Sequence, residues 1–219
     1  MSSLVRTLPS IRQKLREARL FTLSLRGSPG SGKTRLLEET LRRIGDLRAG
    51  VVVANPTADR DAKRLAAHAS FVADVRSAEL TIPQMLDVLG EVDLRALDVL
   101  FIEALGAIAD IAPPDLGEDV RVALFSVAAG DDKVAQLPHR VATADLILLN
   151  KADLLPHVEF DLEAFRADAR RINPAIRVIE VSAAQGAGLD EWEKWLRDAI
   201  RQHRPRNGRD SRPSESFIG

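Results

Sequence analysis

Lys33 and Thr34 close the run Gly27-Ser-Pro-Gly-Ser-Gly-Lys-Thr34, which fulfils the phosphate-loop pattern G-x-x-x-x-G-K-[ST]. Glycines let backbone N–H groups approach phosphate oxygens closely, so Gly30, Ser31 and Gly32 are candidate phosphate cradles. Lys33 would reach the terminal phosphates, and the Thr34 hydroxyl would sit on Mg²⁺. The plain alternative is a glycine-rich structural turn. Context argues against it: an alternating apolar run, 21–25, precedes the loop and a helix-patterned run, 35–44, follows. The pattern implies a nucleoside triphosphate as ligand.

Asn150-Lys-Ala-Asp153 bears on which base. It ends the apolar run 146–149, which reads as a buried parallel strand, and ligands in open α/β sheets bind at such strand ends. An Asp153 carboxylate there can accept from guanine N1–H and from its exocyclic amine. Adenine offers no such donor pair, and a site built for paired donors rejects the analogue strongly. The Lys151 stem can lie along the base plane. Alone, N-K-x-D is a weak signal; downstream of a phosphate loop it favours GTP over ATP. Val181-Ser-Ala-Ala184 follows the next expected strand and resembles the base loop of GTPases, with Ser182 and Ala183 as its contacts.

The elements that must position these residues alternate between strand and helix. The expected fold is therefore α/β: a three-layer P-loop NTPase fold, with a mostly parallel central sheet flanked by helices. Strands are expected at 21–25, 51–54, 71–75, 99–102, 120–127, 145–149 and 176–180. Helices are expected at 11–19, 59–69, 81–89, 162–172 and 189–201 besides that after the loop, with Thr81 as a cap and Pro83 in its first turn. Three segments result: 1–20 as an N-terminal helix leading into the domain, 21–201 as the domain, and 202–219 as a basic, Pro- and Ser-rich tail expected to be disordered.

Composition narrows the class. At 219 residues and 45% hydrophobic, one substantial core can be buried. Lys and Arg number 31 against 32 Asp and Glu, which argues against a general nucleic-acid binder. No apolar run approaches a membrane span, and the start lacks a signal-peptide stretch, so a cytoplasmic protein is expected. Cysteine is absent, and His68, His139, His157 and His203 show no ligand spacing.

Beyond these readings the chain resembles a family. Gly27–Thr34, Phe101-Ile-Glu103, Asp115-Leu-Gly-Glu-Asp119, Gly130-Asp-Asp-Lys133 and Leu148-Leu-Asn-Lys-Ala-Asp-Leu-Leu-Pro-His157 resemble, in the same order, the stretches of HypB proteins, and 168–174 continue the match. These belong to the SIMIBI class of dimerising P-loop GTPases and help load nickel into [NiFe]-hydrogenase; the urease chaperone UreG fits less well. The resemblance spans about 20–200. It implies GTP hydrolysis, Mg²⁺ held by Thr34 and, through water, by Glu103, and Gly106 as a switch glycine meeting the γ-phosphate. It implies a homodimer on GTP binding, and hydrogenase maturation factors or the hydrogenase large subunit as partners. The Asp115–Asp119 and Gly130–Lys133 stretches would support the dimer seam or be solvated acidic loops, with nothing in the sequence to choose between them.

Two departures from the family stand out. Where HypB proteins commonly carry Cys-His and a switch cysteine, this chain has Glu79, Leu80 and Asp110. No nickel or zinc ligand is therefore assigned; Glu79 and Asp110 as an oxygen-only pair is the less favoured reading. Where the family places a Gly-Asp pair near the attacking water, this chain has Ala54-Asn55, which implies slow hydrolysis, with Asp59 or Asp61 as replacements. Three roles stay open: nickel insertion, a GTP-gated scaffold carrying no metal, and a SIMIBI GTPase chaperone for another metalloenzyme.

Overall fold

In the computed structural model, residues 4–54, 59–77, 80–105 and 115–203 are described. Asn55, Gly106, Glu79, Asp110 and the tail from 204 lie outside them. Seven strands form one parallel sheet: β1 (Phe21–Gly27), β2 (Ala49–Ala54), β3 (Phe71–Val75), β4 (Val99–Leu105), β5 (Val120–Ser126), β6 (Leu146–Asn150) and β7 (Arg177–Val181). Their order is β3-β2-β4-β1-β5-β6-β7, and every neighbouring pair is parallel. The helices are α1 (Leu4–Ala18), α2 (Lys33–Arg43), α3 (Asp59–Ala66), α4 (Ile82–Glu91), α5 (Lys133–Gln136), α6 (Pro138–Ala142), α7 (Leu162–Ile172) and α8 (Leu189–His203).

Both faces of the sheet are covered, which explains why β2 and β6 read as continuous apolar runs, whereas β1 alternates apolar residues with the buried Thr22 and Ser24. Successive side chains point to opposite faces. Val51 and Val53 join Leu36, Leu41 and Trp192 beneath α2 and α8. Val52 and Ala54 instead join Ile11, Leu15, Met85 and Leu89 beneath α1 and α4. Further along, Leu146 and Leu148 face the first cluster, whereas Ile147 and Leu149 meet Phe165 and Ala169 of α7. The three-layer fold is as expected. Among the described residues no helix is long and apolar enough to cross a membrane.

Element ends moved where local chemistry was not read. Strand β2 begins two residues early, at Ala49, and Gly50 within it is closely packed: a Cβ there would press on the Leu97 and Leu100 side chains. Helix α3 ends at Ala66, not 69. The capping at Thr81 is as read: its side chain accepts from Gln84 N at 3.4 Å, and Gln84 Oε1 accepts from Thr81 N at 2.9 Å, with Pro83 in the first turn. The short helices α5 and α6 went unforeseen, being too brief to show a period.

The strand order reverses beside β1, whose neighbours are β4 and β5. A crevice opens there outside the carboxyl ends of the strands. Glu103 near the end of β4 stands opposite Leu25 of β1, and Asn150 ends β6.

Candidate functional site: a phosphate loop tied to the turn after β6

Gly30 and Gly32 have φ of 75° and 92°, the left-handed backbone that only glycine adopts without strain. They turn the chain from β1 into α2. Gly32 is the N-cap of α2 and brings no side chain to the first-turn N–H groups. Those donors, with the positive end of the helix dipole, suit an anion.

Lys33 is buried, 6% exposed, and its Nζ donates to the carbonyls of Gly27 at 2.9 Å and Ser28 at 3.2 Å. Burial depresses its pKa; the Glu103 charge opposes that and the Arg140 charge adds to it. Thr34 Oγ1 donates to Glu103 Oε1 at 2.8 Å. Glu103 is 3% exposed and its Oε2 has no partner among the described residues. Burial raises its carboxyl above the usual range, while the Thr34 hydrogen bond and Lys33 oppose the rise. A hydroxyl and a half-satisfied buried carboxylate at a helix N-terminus fit a hydrated Mg²⁺, which takes oxygen ligands and keeps several waters. Ser31 Oγ is likewise buried without a partner. Asp61 lies close enough for its charge to act on both Lys33 and Glu103.

The turn after β6 divides the labour differently from the sequence reading. Asn150, assigned there to the base, has both ends of its amide engaged. Nδ2 donates to the Ser31 carbonyl at 2.8 Å, and Oδ1 accepts from Ala183 N at 3.1 Å. It therefore ties the phosphate loop to the 182–184 turn. Lys151 has φ 62°, which turns the chain sharply after the strand. Asp153 Oδ1 is buried and unpartnered among the described residues, the condition of an acceptor awaiting a donor. Ser182 is fully buried; its Oγ accepts from Gln185 N at 3.1 Å, so it shapes the turn while the Ala183 backbone carries the link to Asn150.

Within the Asp115–Asp119 stretch Glu118 is taken out of solvent, while Asp115 is half-buried and Asp119 exposed. Glu118 is buried, pairs with Arg26 at 2.5 Å, and accepts from Arg121 Nε at 3.0 Å and Leu116 N at 2.8 Å. Asp119 Oδ2 accepts from Thr22 N at 2.8 Å. Gly117, at φ 82°, packs where a Cβ would strike Ile11 of α1. This motif docks α1 and the start of β5 onto β1. In the Gly130–Lys133 stretch, Asp131 Oδ2 accepts from Asp161 N at 2.8 Å. Lys133 and Lys151 line a cavity of about 160 Å³ beside Ser28–Ser31. Lys133 belongs to the Gly130–Lys133 stretch quoted for the resemblance, whereas Arg140, which donates to Ser28 of the loop, carried no local spacing that marks it in sequence. His68 receives a hydrogen bond from Arg42 Nε at 3.2 Å, and the His203 ring lies tilted against Phe21 with centroids 5.5 Å apart.

The family model for the CobW/HypB/UreG nucleotide-binding domain matches residues 21–180. Hydrogenase maturation factor HypB of Azotobacter vinelandii is 41% identical over 189 residues, covering 84% of this chain and 62% of the relative. That of Escherichia coli K12 is 39% identical, over 84% of this chain and 65% of the relative. The chain thus spans under two thirds of the length of these relatives. Among solved structures, HypB from Archaeoglobus fulgidus superposes with TM-score 0.82 at 32% identity, over 91% of this chain and 100% of that one. HypB from Helicobacter pylori in complex with nickel superposes with TM-score 0.82 at 26% identity, over 93% and 97%. The loop, the strand-end carboxylate and the turn after β6 thus occupy a fold shared with HypB structures, and the chain belongs to the CobW/HypB/UreG nucleotide-binding family.

Proposed function

We propose that this chain binds GTP with Mg²⁺, hydrolyses it to GDP and phosphate, and acts at the nickel-insertion step of [NiFe]-hydrogenase maturation in the cytoplasm. The reading rests above all on one observation: Asn150, which opens the turn carrying Asp153, is bonded to the phosphate loop, so an anion cradle and a carboxylate oxygen with no partner among the described residues stand on linked segments. Gly30–Thr34 would hold the phosphates, and Asp153 the guanine donors. Thr34 and Glu103 would hold Mg²⁺, which supplies charge neutralisation on the phosphate oxygens. Gly106, outside the described residues, would meet the γ-phosphate.

In the reaction, water oxygen bonds to the γ-phosphorus as the bond to the β–γ bridging oxygen breaks; GDP leaves with that electron pair, and the water proton passes to solvent or phosphate. Lys33 would leave the carbonyls of Gly27 and Ser28 to meet the developing negative charge. Asn55 cannot accept that proton, so turnover is slow, several-hundred-fold below a member with Asp there, on the scale of lost catalytic contacts. GTP would close a homodimer, which then meets other maturation factors or the hydrogenase large subunit.

A second reading, a GTP-gated scaffold that leaves nickel to a partner, is favoured by Leu80. It stands where the resemblance expects a metal ligand, and it is buried with Met85 in an apolar cluster. Calorimetry with nickel, with and without GTP, separates the two; stoichiometric submicromolar binding overturns the scaffold.

The founding test is competition between GTP and ATP for the purified chain. GTP should win by a wide margin, and Lys33→Ala should bind neither tightly. Asp153→Ala should lose about 10²–10⁴-fold for GTP, the scale of two hydrogen bonds to a charged acceptor. ATP binding as tightly as GTP sinks the assignment. Asn55→Asp should raise the rate; an unchanged rate retires that position.

A further inference from the structure

Arg140 has no role in the reading above. It sits on α6, a segment held by Asn173, whose Nδ2 donates to the carbonyls of Val141 at 3.2 Å and Ala144 at 3.0 Å. From there its Nη1 donates to Ser28 Oγ at 3.2 Å, and its guanidinium stands 5.8 Å from the Phe125 ring centroid. A planar cation over an aromatic face is a favourable, oriented contact, so the half-buried guanidinium has a defined place.

Ser28 is also a residue that Lys33 holds, through its carbonyl at 3.2 Å. Two cations from distant parts of the chain therefore meet on one residue of the phosphate loop. Arg140 reaches the side chain of Ser28 and Lys33 its carbonyl, so two positive charges stand on the same residue. In the nucleotide-free chain this proximity is repulsive. An anion held between them reverses the sign of the effect, and the more charge it carries at the Lys33 end, the greater the gain.

We propose that Arg140 is a positioning residue for the terminal phosphate: it braces Ser28 in the loop and adds positive charge beside Lys33, so that the site favours a nucleoside triphosphate over a diphosphate. This rests on the nucleotide assignment made above.

The test uses the full chain, titrated with Mg²⁺ and either a non-hydrolysable GTP analogue or GDP. Arg140→Ala should weaken the triphosphate analogue about tenfold, the scale of one moderate charge interaction, and GDP by under about threefold. Arg140→Lys keeps the charge but loses the planar contact with Phe125, so it should recover part of the triphosphate preference and exceed the alanine variant. Arg140→Met keeps the stem against Phe125 and should behave as Arg140→Ala; it stands in if the alanine variant does not fold. Ser28→Ala combined with Arg140→Ala should cost less than the two single changes together, since they act on one contact. Equal weakening of both nucleotides would mean a merely structural role and overturn the proposal, as would an unchanged ratio or a lysine variant no better than alanine. If the unaltered chain binds neither nucleotide, the nucleotide assignment itself falls first.

Discussion

The Asn150 amide meets the Ser31 carbonyl at 2.8 Å, a contact between the last residue of β6 and the middle of the phosphate loop. Its other end takes the Ala183 N–H. Three segments far apart in sequence are thereby held by one buried side chain. Asn150→Ala should destabilise the chain by about 1–3 kcal/mol, since a buried carbonyl and a buried N–H both lose their partner. Asn150→Asp should be worse, setting a negative charge against the Ser31 carbonyl. Urea unfolding reads both, and a neutral Asn150→Asp would mean the contact is not maintained.

Gly32 approaches the same side chain. A Cβ there would collide with Asn150 Nδ2, and the backbone φ of 92° is already unfavourable for any other residue. Gly32→Ala should therefore abolish tight nucleotide binding by displacing Asn150 from Ser31. Gly30→Ala faces no neighbour within 4 Å and carries only the backbone strain of φ 75°, so it should bind more tightly than Gly32→Ala. Equal binding by the two variants would contradict this ranking.

Burial holds the Glu103 carboxyl above the usual carboxylate range, with Thr34 and Lys33 opposing. A folded pKa above the unfolded one gives stability that is present below the ordinary carboxylate pKa and is lost as pH rises through the raised value. The nucleotide-free chain should lose stability across that window, and Glu103→Gln should flatten the dependence. The same variant should weaken Mg²⁺ binding about 10–100-fold, the effect of losing an outer-shell carboxylate. Thermal unfolding against pH without nucleotide provides the check.

Glu118 behaves in the opposite sense. Burial opposes its ionisation, but Arg26 and Arg121, with a backbone hydrogen bond, outweigh it and hold the carboxyl below its usual range. Its contribution is present above the ordinary carboxylate pKa and is lost as pH falls through the depressed value. Glu118→Gln should cost about 3–5 kcal/mol because Arg26 is left charged and buried. Replacing both partners with apolar residues, Arg26→Met with Glu118→Leu, should be far milder. A single change as mild as the double one would mean the pair is not shielded from water.

Much of this was legible in sequence for physical reasons. A phosphate loop is local: its glycines, lysine and threonine are neighbours along the chain, and Gly30 and Gly32 adopt the backbone that the pattern requires. Strands covered on both faces read as apolar runs, as at 51–54 and 146–149, and together with the helix-patterned runs between them they reveal the alternation of elements. What stayed hidden depends on distance. The engagement of Asn150 with Ser31 spans 119 positions, and nothing near either residue announces it. Arg26 and Glu118 pair across 92 positions, and because a partner across the fold leaves no periodic trace, the 115–119 stretch stayed open in sequence between a dimer seam and a solvated loop. Arg140 was invisible for the same reason.

One more consequence follows from Lys33 resting on the carbonyls of Gly27 and Ser28. The loop already contains its own ligand, so an incoming polyanion displaces an internal occupant rather than filling a void. Measured affinity is then a difference between two sets of hydrogen bonds. Any change that loosens the ammonium from those two oxygens will look like a gain in nucleotide affinity, even though nothing touching the nucleotide has improved.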